Sequence, residues 1–179
     1  MLNRILVAID QSVASQRVFD AALELAKALG AELILIHTLD VFDPASPERP
    51  TMPVGSYSMG LDDILRKNYD RQWAEFVQHY DALLKQKTEA AIHQGIAATF
   101  EQPYGRPGPA ICKTAETEQI DLIVIGSHGR TGLREVLLGS VSNHVLHHAP
   151  CSVMVVHPDD RDDRALPRER SELNAIAMS

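Results

Sequence analysis

Cysteine is scarce in this chain: Cys112 and Cys151 are its only two, and they form no metal-ligand or redox spacing. They read as buried thiols in a reducing compartment, so a cytoplasmic protein is expected. An excess of basic charge is missing as well. Lys and Arg number 17 against 24 Asp and Glu, the formal net charge is -7, and no basic cluster stands out. That balance argues against nucleic acid or an anionic membrane surface as partner. No apolar run is long enough to span a bilayer, and the opening run Ile5–Ile9 is too short for a signal peptide and reads as a first strand. No internal repeat is present. What remains is 179 residues with 45% hydrophobic content, enough for one domain with a substantial core.

Strand-like apolar runs alternate with helical patterns along that length. Strands are expected at Arg4–Asp10, Glu32–Thr38, Ile96–Glu101, Ile120–Ile125 and Ser152–Val156, mostly as continuous Val/Ile/Leu, as in buried parallel strands. Helices are expected at Val13–Leu29, with Ser12 as N-cap and Gly30 as its stop, at Pro109–Glu118 and at Val141–His148. The alternation predicts an open α/β fold, a five-stranded parallel sheet with right-handed crossovers and helices on both faces. Residues 43–60, rich in Pro and Gly, form a loop longer than a compact domain normally needs. From Leu61 a helical stripe runs through Tyr69, Trp73, Tyr80 and Leu84 to about Gln94. Unbroken, it would measure roughly 50 Å, against about 20 Å for a strand. A break near Asn68, or packing on a partner subunit, would resolve the mismatch. The domain is expected to end at 158, followed by a charged, fraying tail at 159–179 with a short helical stretch at Arg168–Ala177.

The chemistry concentrates in Gly126-x2-Gly129-x9-Gly139-Ser140, placed between the apolar run Leu122–Ile125 and the helix from Val141. A strand, a glycine-rich loop and a helix N-terminus aim backbone N–H groups at one spot and favour an anion, above all a phosphate. Gly126 and Gly129 let the main chain approach without a Cβ in the way, Gly139 does the same at the next helix, and the hydroxyls of Ser140 and Ser142 could complete the cradle. Otherwise the glycines are turn residues and Ser140 a simple cap. In an open α/β sheet ligands lie beyond the carboxyl ends of the strands. If strands one and four are neighbours, Asp10, Thr38 and Gly126 line one crevice. The dinucleotide fingerprint and the P-loop are both absent, and no lysine lies between Gly126 and Ser140. Arg130 and Arg134 supply the local charge, unless they are solvated surface residues. Without metal and cationic clamps on developing charge, such a site suits holding a phosphate more than transferring one.

This pattern resembles the ATP-binding signature of the universal stress protein family. Matching context runs through Ile125–Arg130 and Leu137–Val141, and Ile5–Asp10, Leu35–Thr38 and Ala149–Val156 resemble the family's strands; the likeness covers most of 1–157 but not the loop at 43–60 or the tail. The resemblance implies strand order 3-2-1-4-5. It places Asp10 and the backbone near Ala8 at the adenosine end of ATP and the backbone around Thr38 against adenine. Gly126, His128, Gly129, Arg130, Gly139, Ser140, Val141 and Ser142 would surround ribose and phosphates. Every signature position is kept, which implies the ATP-binding branch and a nucleotide-responsive stress or signalling role.

Other readings stay open for several of these residues. Asp10 could simply cap the following helix, and His128 could bond a loop carbonyl. His144, His147 and His148 fall at i, i+3, i+4, a spacing that suits a metal or merely a helix C-terminus. A divalent ion, Mg2+ or Mn2+, fits better on the nucleotide's own phosphates. Strand five, uncharged and apolar at Val153–Val156, would be an edge strand in that order, a pairing hazard unless it is used. Edge-to-edge homodimerisation through Ser152–Val156 is expected, with a higher oligomer open. The competing functions are a slow ATPase or nucleotidyl-transfer enzyme, and an interaction protein with purely structural glycines.

Overall fold

The computed structural model describes residues 2–12, 14–50, 59–127 and 138–157. His128, Gly129, Arg130 and Arg134, the middle of the Pro-rich loop and the tail lie outside the described residues. The elements run β1 (Arg4–Ala8), α1 (Ala14–Leu29), β2 (Glu32–Ile36), α2 (Met59–His93), β3 (Ala98–Glu101), α3 (Pro107–Thr117), β4 (Leu122–Gly126), α4 (Ser140–His148) and β5 (Ser152–Val156). The strands form one sheet of order β3-β2-β1-β4-β5, parallel throughout. This is the order that the resemblance implies.

The apolar runs are continuous because both sheet faces are covered. In register, Val7 lies beside Leu35 and Val124, while Leu6 lies beside Ile34 and Ile123. With side chains alternating along each strand, the first set packs against Val18, Phe19 and Ala22 of α1 and Leu84 and Ala91 of α2. The second packs against Ile111 and Ala115 of α3 and Val145 of α4. Each fully buried Val, Leu or Ile contributes about 1.5–3 kcal/mol relative to exposure. Cys112 and Cys151 pack at the edge of this second core, and burial pushes both thiols above their ordinary pKa. Both are therefore poor nucleophiles at neutral pH.

The Ser12 hydroxyl donates to Asp10 Oδ1 at 2.6 Å, and α1 is described from Ala14. One sequence expectation is corrected: the second helix does not break near Asn68. It runs unbroken over 35 residues, and Arg71 donates to the Asn68 side chain at 2.8 Å within it. A mid-helix Asn costs only a fraction of a kcal/mol. An i,i+4 ion pair, Asp63–Lys67, supports the turn beside it, and beyond it Tyr69 stacks on Trp73, which lies tilted against Phe76. Farther along, Phe76 and Tyr80 cover Leu39 in a third cluster, fastening the segment after β2 beneath α2.

Candidate functional site

Beyond the carboxyl ends of β1, β2 and β4 the chain encloses a cleft of about 390 Å³. Three segments build it, each in a different way.

The β4 side is made of main chain. Gly126 ends the strand, and Ser127 behind it is completely buried. The Ser127 N–H donates to the Val156 carbonyl at 2.9 Å, and its carbonyl accepts the Gly139 N–H at 2.8 Å. Ser142 is also buried, and its hydroxyl donates to the Gly126 carbonyl at 2.6 Å. The start of α4 is thus stitched to the end of β4, and the Ser142 proton is spent on that seam rather than aimed into the cleft. Gly139 is the N-cap of α4 with no side-chain cap bond. The first-turn N–H groups of a helix have no intrahelical partner, and here that turn lines the cleft through Ser140, Val141 and Ser142.

The β1 side is a tight turn. Asp10 Oδ1 accepts both the Ser12 N–H, at 2.9 Å, and the Ser12 hydroxyl, while the Asp10 N–H donates to Ser15 Oγ at 3.2 Å. Asp10 therefore organises the β1–α1 turn, and it lines the cleft as well.

The β2 side is made of side chains. The His37 ring is buried, with Nδ1 2.9 Å from the Ile9 carbonyl, and stacks on the fully buried Tyr80 ring at 3.4 Å between centroids. Thr38 and Asp40 are buried beside it. Asp40 Oδ1 accepts the Phe42 N–H at 3.0 Å, and Oδ2 lies 4.0 Å from Arg106 Nε. The Arg106 guanidinium lies 4.4 Å above the Phe42 ring. A parallel bridge between Leu39 and Tyr104 carries Arg106 to this position, and Pro107 then opens α3.

Ala8, Asp10, Thr38, Gly126, Gly139, Ser140, Val141 and Ser142, the described residues singled out from sequence for the nucleotide, line this one cleft. His37, Asp40, Phe42 and Arg106 line it too and were missed. A polar run directly after a buried strand, His37-Thr38-x-Asp40, was the available signal for two of them. The histidines of α4 lie elsewhere: His144 stacks on His148, whose Nδ1 is 2.8 Å from the His144 carbonyl. Among the described residues no group of three or more His, Cys, Asp or Glu is placed to hold a metal ion. No described helix is long and apolar enough to cross a membrane.

Known proteins share this fold. The model of the universal stress protein family matches residues 1–157. The chain belongs to that family. Universal stress protein YxiE of Bacillus subtilis is 33% identical over 156 residues, 87% of this chain and 99% of the relative. Among solved structures, the universal stress protein UspA of Lactobacillus plantarum superposes with a TM-score of 0.64 at 27% identity, covering 87% of this chain and 97% of its own. Two further structures share the fold at 21% identity. A universal stress protein in complex with cAMP has a TM-score of 0.57, with 88% of this chain and 98% of that one covered. A universal stress protein of Archaeoglobus fulgidus in complex with dAMP has a TM-score of 0.51, with 87% and 98% covered. In the present universal stress protein the described charged lining is acidic: Asp10, Asp40 and Asp43 face a single Arg or Lys, Arg106.

Proposed function

We propose that this universal stress protein binds ATP in the cleft and acts as a nucleotide-responsive stress or signalling module, with slow turnover at most. The observation that carries the reading is the convergence on one cleft of a glycine-lined strand end, the open first turn of α4 and the polar ends of β1 and β2. A volume of about 390 Å³ falls in the range of small-molecule sites. The cAMP and dAMP complexes of related folds support an adenine nucleotide. The phosphates would lie against Gly126, Gly139, Ser140 and Val141, joined by His128, Gly129 and Arg130 of the signature. Adenosine would extend past Ala8 and Asp10 to Thr38. A Mg2+ or Mn2+ ion carried on the phosphates would offset the acidic lining. Shortage of cationic clamps favours holding the nucleotide over consuming it. The edge strand β5, with Met154 37% exposed, is the proposed homodimer contact, and light scattering that finds a monomer at micromolar concentration would remove that part.

The deciding experiment is to denature purified protein and identify the released nucleotide. Co-purified ATP supports binding with slow turnover, and abundant ADP shifts the reading toward hydrolysis. Saturating ATP at a hundred times Kd should stabilise the fold by about 2.7 kcal/mol. If nothing is released and no adenine nucleotide raises the melting temperature, the reading fails. Gly129→Val should abolish most ATP affinity while the fold persists, and unchanged affinity in that variant would remove the phosphate cradle.

A further inference from the structure

The β2 end of the cleft holds a carboxylate with capacity to spare. Asp40 is nine-tenths buried at its side chain and lines the cleft. One oxygen, Oδ1, is committed to the Phe42 amide at 3.0 Å. The other, Oδ2, has Arg106 Nε at 4.0 Å, beyond hydrogen-bond reach, and Arg106 itself is drawn aside over the Phe42 ring. Among the described residues no donor comes closer to Oδ2, and a buried carboxylate oxygen in a cleft can then accept from a donor on the ligand.

Position along the sheet edge says which part of a nucleotide supplies that donor. The main-chain donors lie at β4 and α4, and β1 separates β4 from β2. Two strand spacings are about 10 Å, so the β2 end is the part of the cleft farthest from the phosphates. The base reaches it, and the ribose lies over β1. We propose that Asp40 reads the base: its Oδ2 accepts the exocyclic amino group of adenine, and the site thereby selects a 6-amino purine over a 6-oxo purine. The inference rests on the adenine-nucleotide reading of the cleft and assigns its specificity to one side chain.

The geometry also dictates what Asp40→Asn does. The asparagine carbonyl must stay on the Phe42 N–H, because that amide needs an acceptor, and this turns the NH2 group toward the base. A donor then faces the adenine amino group, while a 6-oxo group becomes a good partner. A hydrogen bond to a charged acceptor corresponds to roughly a tenfold to hundredfold change in affinity.

The test is isothermal titration of wild-type protein and Asp40→Asn with ATP and ITP, each with Mg2+. Wild type should bind ATP roughly ten to a hundred times more tightly than ITP, and in the variant the ratio should fall to near one or invert. Wild-type protein that binds both alike would overturn the proposal without recourse to any variant. So would a variant that melts with wild type and keeps the full ATP preference. Wild-type protein that binds neither nucleotide would overturn the adenine-nucleotide reading itself and this inference with it.

Discussion

The two ends of the cleft are built from different parts of the chain. At β4 and α4 the surface offered to a ligand is backbone, and even the nearby Ser142 hydroxyl is turned onto the Gly126 carbonyl. At β2 it is side chains: His37 propped on Tyr80, and Asp40 pinned by Phe42 with Arg106 alongside. Backbone donors recognise what all nucleotides share, a phosphate. Side chains with fixed hydrogen-bond polarity recognise what distinguishes one base from another. On the proposed reading, the difference would place affinity at one end and selectivity at the other.

Substitutions at each end test that division. The largest effect is expected from Tyr80→Ala, which removes a fully buried ring from under His37. Loss of about 3–5 kcal/mol in urea denaturation is expected, with Tyr80→Phe costing far less; an alanine variant within 1 kcal/mol of wild type would show that the β2 end needs no such prop. Next comes Gly108→Ala at the α3–α4 contact. An added Cβ would lie 2.7 to 2.9 Å from the His144 ring and its Cβ, too close for ring rotation alone to relieve. The helices must separate, at about 1–3 kcal/mol, and α4 carries the first turn that lines the cleft. ATP affinity should fall with stability, and His144→Ala added to Gly108→Ala should recover part of both, because it removes the ring but leaves the Cβ contact at 2.9 Å. If the double variant remains as weak as the single, the spacing argument is wrong.

Ser142→Ala should have a smaller effect, about 1 kcal/mol in stability and less than tenfold in ATP affinity, with the ATP-to-ITP ratio unchanged. A shift in that ratio would erase the distinction between the two ends. The smallest effect belongs to a control at the opposite, amino ends of the central strands. The Asn3 and Arg4 N–H groups donate to Asp121 Oδ2 at 2.7 and 3.0 Å and hold its pKa below the ordinary carboxylate value. A depressed pKa means the folded state favours the ionised form. Its stabilisation is complete above the ordinary carboxylate range and is lost as pH falls through the lowered value. Asp121→Asn should therefore melt slightly below wild type at neutral pH. The gap should close in acid, where melting curves of the two proteins should converge, and ATP affinity at neutral pH should not change.

How much of this was legible in the sequence follows the same division. Continuous apolar runs mark buried parallel strands, and the residues just past them, Asp10, Thr38 and Gly126, then share one edge by topology alone. Glycine spacing marks where backbone can come close to a ligand, and Gly126 and Gly139 do line the β4 end of the cleft. The β2 end could not be read that way. Asp40 and Arg106 are far apart in the chain, and what brings them together is the Leu39–Tyr104 bridge beyond the ends of the strands, a tertiary contact with no local signature. The expected break near Asn68 failed for a related reason. Strand length does not limit a helix that has a cluster of its own to cover, and Leu39, Phe76 and Tyr80 form that cluster off the sheet.

Ser127 joins two surfaces that would otherwise be separate subjects. Its N–H is held by Val156 at the end of the edge strand, and its carbonyl holds Gly139 at the head of α4. Because the residue is wholly buried, it has no slack in which to absorb a shift. Drawing β5 outward would pull on the Val156 carbonyl, and the strain would reach α4 through the backbone of a single residue. Whatever grips that strand from outside has a lever, two hydrogen bonds long, on the helix end that lines the cleft.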